Sequence, residues 1–230
     1  IIRYDRWKTK LRVMNPSDKK WKEKKLNHYP NRILYDNKEK SYVQGDWDTT
    51  VMKAHAEITC RNGGHILECG FGMGISATHI QKQNIKSHTI IELNDEIYEK
   101  AVEWAKDKPN TKIISGDWKT VELNEKFDGI LYDAGEQAPT DKLGLSLLPL
   151  YMMRFCKVGT IVTMYNHLWQ PKTIWTPKFF DENKIKFYEV EIPEHELKQY
   201  VDPTHKIYYL PEWIITEEDA KEKWNIQRKV

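Results

Sequence analysis

From about residue 64 the sequence alternates short apolar, β-branched runs with amphipathic stretches, an order that few folds accept. The runs are 65–69, 88–93, 111–115, 127–132 and 159–165, and the amphipathic stretches lie near 74–83, 95–107 and 141–157. In the second of these stretches Ile97, Ala101, Trp104 and Ala105 share one helical face, with Asp95 near its start. Strand, helix and strand recurring at spacings of about 20–25 residues predict a parallel sheet covered on both faces. After residue 170 the pattern changes. Residues 185–192 alternate and 206–215 form another apolar run, which predicts an antiparallel pair closing one edge of the sheet. Upstream, residues 47–60 predict a helix ahead of the first core strand.

Composition narrows the functional classes. Nine Trp, twelve Tyr and six Phe in 230 residues supply ample surface to bury, so a chain disordered throughout is excluded. No run of 18 apolar residues offers a transmembrane helix. The start, Ile1-Ile2-Arg3-Tyr4-Asp5, does not read as a signal peptide, and its lack of Met reads as processing. Cys60, Cys69 and Cys156 have neither C-x-x-C spacing nor an even count, and no two His stand in an H-E-x-x-H arrangement. No metal and no disulfide framework is therefore expected, and a reducing cytoplasm is the default location. The net charge of +2 conceals an asymmetry, since residues 1–30 carry +7 and the remaining 200 carry −5. A basic arm can touch nucleic acid, an anionic membrane or an acidic partner. In so lysine-rich a chain the solvated tail is preferred, and neither nucleic acid nor a membrane is the expected partner.

The first core run leads straight into Glu68-Cys69-Gly70-Phe71-Gly72-Met73-Gly74-Ile75. A glycine-rich turn between strand and helix lets a ligand approach the backbone at the sheet's carboxyl edge. A dinucleotide fingerprint needs a small residue where Ile75 stands, which weakens a nicotinamide cofactor. The E-x-G-x-G-x-G pattern instead resembles the motif of class I S-adenosylmethionine (SAM) methyltransferases, although a glycine triplet alone can be only a tight turn. Two acids then follow at strand ends. Glu92 closes the second run, where a carboxylate can accept from both ribose hydroxyls. Asp117 closes the third, where it can accept from an adenine amino group with Trp118 or Leu93 against the ring.

The fourth run ends in Tyr132-Asp133-Ala134-Gly135, beside the loop expected to hold the methyl donor. It lacks the Pro-Pro-aromatic sequence of nucleic-acid amino methyltransferases, so base methylation falls away. Upstream, Trp47-Asp48-Thr49-Thr50-Val51-Met52 resembles the W-E-T-P-Y-M segment of guanidinoacetate N-methyltransferases. In order along the chain, Leu67–Met73, Ile90–Asp95, Phe127–Asp133, Tyr208–Pro211 and Ile214–Thr216 resemble the same family and the related arginine delta-N-methyltransferases.

That resemblance runs from about residue 45 to 216. It implies a class I SAM-methyltransferase (Rossmann-like) α/β fold, a seven-stranded, mostly parallel sheet with only its last strand antiparallel. Residues 1–44 are then a basic N-terminal arm or lid, and 45–230 the methyltransferase domain. On the family pattern Asp133 binds the substrate guanidinium and takes its proton, and Asp48 stands where the family has a glutamate holding the same group. The cofactor set implied by motif and resemblance is Met52, Glu68, Gly70, Phe71, Gly72, Gly74, Glu92, Leu93, Asn94, Asp117 and Trp118. Without the resemblance, Asp48 would read as the N-cap of the 47–60 helix.

Three departures bear on the acceptor. Asp48 is one methylene shorter than glutamate. After Asp133 the family's Thr-Tyr-Pro is replaced by Ala134-Gly135-Glu136. Asn166-His167-Leu168-Trp169 keeps the Asn but loses the Leu-Thr-Ser that meets the substrate carboxylate, so Asn166 and His167 are substrate candidates. The expectation is SAM-dependent N-methylation of a small guanidino or amino compound, guanidinoacetate (giving creatine) first, by a monomer or homodimer. A protein or peptide arginine is the alternative acceptor, and a non-catalytic SAM-binding protein the alternative class.

Overall fold

The computed structural model describes residues 20–36, 41–134, 153–165, 184–199 and 206–221. The first elements are three short strands, β1 (Asn27–Tyr29), β2 (Arg32–Asp36) and β3 (Ser41–Gly45), paired antiparallel in that order. One turn of 3-10 helix, Asp46–Asp48, leads into α1 (Thr49–Thr59). The central elements follow as β4 (His65–Cys69), α2 (Ile75–Ile80), β5 (Ser87–Glu92), α3 (Asp95–Ala105), β6 (Thr111–Ser115) and β7 (Phe127–Tyr132). The described chain continues with β8 (Cys156–Met164), β9 (Ile185–Glu191), α4 (Glu194–Leu197) and β10 (Ile207–Ile214).

The main sheet has seven strands in the order β6-β5-β4-β7-β8-β10-β9. Pairings from β6 through β8 are parallel, whereas β10 runs antiparallel to both β8 and β9. Among the described strands of the main sheet only β10 is reversed, as the resemblance implies. Chain order changes direction between β4 and β7, which creates the crevice at the carboxyl ends of those strands where open α/β sheets bind ligands. Register aligns the two ends: Cys69 pairs with Tyr132, and Asp133 N–H donates to the Cys69 carbonyl at 2.9 Å.

Alternate strand residues serve opposite faces, as the pleat requires. On β4 and β7, Leu67, Cys69, Ile130 and Tyr132 join a core with Phe127 and Trp213. Their neighbours Ile66 and Leu131 pack instead with Ala56, Cys60 and Ile80, the last on α2. Both faces are thus apolar, which is why these runs read as continuous rather than alternating.

The small sheet at 27–45 is the element that sequence patterning did not separate from the basic arm. The residues just before it lie against the start of α3. Lys22 bonds Asp95, while Leu26 N–H (3.0 Å) and His28 Nε2 (3.2 Å) both reach Glu96 Oε2. Lys25 sits 3.0 Å from the other Glu96 oxygen, and these donors hold the Glu96 carboxyl down at about 2. The helix expected near 141–157 falls almost wholly outside the described residues, as do Asn166, His167, Trp169 and most of the basic arm.

Candidate active site

Gly70, Gly72 and Gly74 all take positive φ (+93°, +55° and +73°), a backbone region that L side chains rarely adopt. A Cβ at Gly70 would lie 2.3 Å from the Asp133 carbonyl oxygen, so the two strand ends meet only because position 70 has no side chain. The loop is thereby folded tightly against the carboxyl end of β7.

Behind the loop, Glu68 is fully buried. Its carboxylate accepts from Ser76 Oγ on α2, and its other oxygen lies 2.9 Å from His88 Nε2. Expected among the cofactor contacts, Glu68 is engaged inside the fold, tying strand, loop and helix together. Phe71 is also buried, tilted against Trp104 with ring centroids 5.4 Å apart.

Glu92 ends β5 beside this loop. One carboxylate oxygen accepts from Phe71 N–H and the other from Asn94 N–H, both at 2.8 Å. Burial pushes its carboxyl up from the usual value, opposed by those amide donors. The N–H groups of Leu93 and Gly72 also bond this carboxylate, so four backbone amides of the loop and the strand end converge on Glu92. Asn94 Oδ1 caps α3 by accepting from Glu96 and Ile97 N–H, and its Nδ2 donates to the carbonyls of Trp21 and Lys24 at 2.9 Å. The expected ribose-side role of Asn94 is thus one of position, with its side-chain amide committed to the helix and to segment 21–24.

Asp117 follows β6, next to Glu92, since Gly116 N–H donates to the Glu92 carbonyl. It is buried, accepts from Lys119 N–H at 2.9 Å and has Lys119 Nζ 3.5 Å away. Trp118 is buried edge-on to Tyr132 at 4.8 Å, while Leu93 remains half-exposed at the strand end. Met52 is buried in α1 among Val51, Leu197, Tyr208 and Leu210, a core position in this structure.

The two expected acids lie across the crevice from these residues. Asp133 is half-buried at the end of β7, where burial first, and then the charges of Asp48, Glu68 and Glu92, push its carboxyl well above the ordinary value. Asp48 is buried at the head of α1 and occupies the N-cap position without a side-chain capping bond. Its carboxylate takes long hydrogen bonds from Tyr165 Oη (3.4 Å) and Gly45 N–H (3.5 Å). Tyr165 follows β8, is anchored by its N–H to the Tyr132 carbonyl, and stacks on Tyr208 at 5.8 Å. His55 Nε2 lies 3.0 Å from Tyr208 Oη, and burial lowers the imidazole to about 3, so this histidine is neutral and not an acid–base group near pH 7.

Gln44, Tyr165 and Glu196 escaped sequence reasoning. Each touches the site through a contact distant in sequence, and none stands in a motif; Gln44 precedes the Gly45-Asp46-Trp47 segment by one residue. The tight loop of three positive-φ glycines at the carboxyl end of β4, with the Glu92 carboxylate at the neighbouring strand end, fits SAM.

The family model of guanidinoacetate N-methyltransferase matches residues 14–198. Protein arginine N-methyltransferase 2 of Candida glabrata is 35% identical over 133 residues, covering 53% of this chain and 32% of the relative. The Saccharomyces cerevisiae protein of the same name is 32% identical over 129 residues, covering 51% and 31%. The chain therefore spans about a third of the length of these relatives. Among solved structures, M. jannaschii TYW2 in complex with AdoMet matches with TM-score 0.50 and 15% identity, covering 84% of this chain and 88% of that one. N-methyltransferase NodS from Bradyrhizobium japonicum also gives 0.50, at 12% identity over 75% and 98%. These two likenesses speak for the fold, and the family match covers most of the sequence. With its reversed last strand, its glycine cradle and its paired acids, the chain belongs to the guanidinoacetate N-methyltransferase family, within the class I SAM-dependent methyltransferases.

Proposed function

We propose that the chain methylates a guanidinium nitrogen, with an arginine side chain of a protein or peptide as the acceptor. The observation that carries this reading is the pair Asp133 and Asp48, two carboxylates close enough for one to raise the other, at the mouth of the glycine loop. A planar guanidinium can be held by carboxylates through paired, charge-assisted hydrogen bonds. SAM, when bound, supplies an electrophilic methyl group on a cationic sulfonium.

The chain's own residues do the rest. Gly70, Gly72 and Gly74 fold the loop tightly beside the donor, and Glu92 at the next strand end faces its ribose. Asp48 and Asp133 orient the guanidinium in line with the carbon–sulfur bond, where positioning lowers much of the barrier. A protonated guanidinium is a poor nucleophile. Asp133 accepts the nitrogen's proton as the nitrogen bonds to carbon and that carbon's bond to sulfur breaks. A carboxyl pushed upward is the better proton acceptor for this task.

The choice of arginine over guanidinoacetate rests on two supports. The relatives from two yeasts are named protein arginine N-methyltransferase 2. In addition, His167-Leu168-Trp169 replaces the segment with which the family meets a substrate carboxylate, a group that a peptide arginine does not present beside its guanidinium. Guanidinoacetate is the second reading, favoured by the family match. Incubation with isotopically labelled SAM and either an arginine peptide or guanidinoacetate separates them by mass spectrometry. Label in the peptide is expected. Label only in creatine would reverse the order, and label in neither would remove both.

A further inference from the structure

We propose that Gln44 is a positioning residue that aims the Asp133 carboxylate and locks it in register with the glycine loop. The inference rests on the reading of Asp133 as proton acceptor. Gln44 lies on β3, in the small N-terminal sheet, yet its side chain is buried in the crevice. Its Oε1 accepts from Met73 N–H of the loop at 2.7 Å, and its Nε2 lies 3.5 Å from Asp133 Oδ2. One amide therefore spans the cofactor loop and the acceptor-side acid.

The chemistry of the two partners fixes which way the amide faces. A backbone N–H can only donate, and an ionised carboxylate can only accept. With Oε1 held by Met73, the NH2 group must face Asp133, and it favours the ionised form because it can accept nothing from a protonated one. The approach also explains Gly72, where a Cβ would lie 2.6 Å from Gln44 Oε1.

Charge explains why an amide suits the position. Asp133 is faced by Asp48 from the 3-10 turn, Glu68 from β4 and Glu92 from β5. A carboxylate at position 44 would add a fourth negative neighbour and donate nothing. A lysine would cancel the negative potential that a cationic acceptor needs. An amide orients Asp133 and leaves the charge of the site intact, and its 3.5 Å contact is of the kind that tightens in a reactive complex.

The test is a carbon-13 NMR titration of Asp133 in the free protein, assigned by difference from Asp133→Asn, on wild type, Gln44→Leu and Gln44→Glu. Both substitutions at position 44 are expected to raise the Asp133 midpoint. They are also expected to move the acid limb of kcat/KM upward by the same interval and to lower kcat about tenfold. A Gln44 that merely fills space would be replaced by the similarly sized leucine with the Asp133 midpoint unchanged, and that result overturns the proposal. Should Gln44→Leu fail to fold, Gln44→Met, which keeps the side-chain length and adds neither donor nor charge, carries the same comparison. A shifted midpoint together with an active Asp133→Asn would uphold the positioning and overturn the proton-acceptor reading instead.

Discussion

Glu196 accepts two hydrogen bonds from Thr50, one from its hydroxyl at 2.9 Å and one from its backbone N–H at 3.3 Å. The first turn of α1 is thus capped by a carboxylate from α4 rather than by Asp48, the residue in the capping position. An acid at a helix N-terminus ordinarily spends its oxygens on the first free amides. Glu196 thereby fixes the first turn of α1 and, with it, the position of Asp48, whose carboxylate accepts from Tyr165 and Gly45. Glu196→Ala should destabilise the protein by about 1 kcal/mol. It should also raise KM for the acceptor while leaving SAM affinity unchanged, as thermal unfolding, steady-state kinetics and calorimetry would show. An unchanged KM would disconnect the cap from Asp48.

Glu92 offers a cleaner test of the cofactor side. Backbone amides, those of Phe71 and Asn94 among them, hold the carboxylate in place, and Glu92→Gln replaces one acceptor oxygen with a donor where those amides already donate. Hydrogen bonds to a charged group contribute about 1.5–3 kcal/mol, so SAM affinity measured by calorimetry should fall roughly 10- to 100-fold. Acceptor KM should move little.

These cases show why some of the molecule was legible in sequence and some was not. Strands β4 through β7 were readable because a parallel sheet covered on both faces demands continuous apolar runs. The placement of Asp133, Glu92 and Asp117 at the strand ends was readable because they close those runs, where the topology sends ligands. Gln44, Tyr165 and Glu196 are different. They meet Asp133, Asp48 and Thr50 across 89, 117 and 146 residues of sequence, separations at which no local pattern can signal a contact. The small sheet was missed for another reason, since its first strand is three residues long and mostly exposed. Asn94 stands at a motif position, and what the sequence could not show is that its side chain caps α3 and tethers segment 21–24.

Asp133 links activity to stability with a definite sign. Burial, then Asp48, Glu68 and Glu92, raise its folded-state carboxyl above the unfolded value. Its contribution to stability is therefore full below the unfolded value and is lost as pH rises through the raised folded one. Above that raised value, Asp133→Asn should increase Tm by a few degrees, and below about pH 4, where the carboxyl is already neutral, the gain should vanish. A variant less stable than wild type at every pH would contradict the electrostatic account of the site.

The glycine cradle makes an equally sharp forecast. Gly72→Ala places a Cβ at φ +55° and 2.6 Å from Gln44 Oε1, so either the loop or Gln44 must shift. SAM binding should weaken at least tenfold, and strained left-handed backbone should cost about 1 kcal/mol or more of stability. Calorimetric titration and a melting curve read both effects.

The central claim is that Asp133 takes the proton of a guanidinium as its nitrogen is methylated. Single-turnover methyl transfer to an arginine peptide, compared between wild type and Asp133→Asn at saturating SAM, tests it most directly. A positioned proton acceptor contributes about 10²–10⁴-fold, so the asparagine variant should bind SAM normally and transfer the methyl group at least a hundredfold more slowly. Transfer at the wild-type rate by Asp133→Asn would contradict the account.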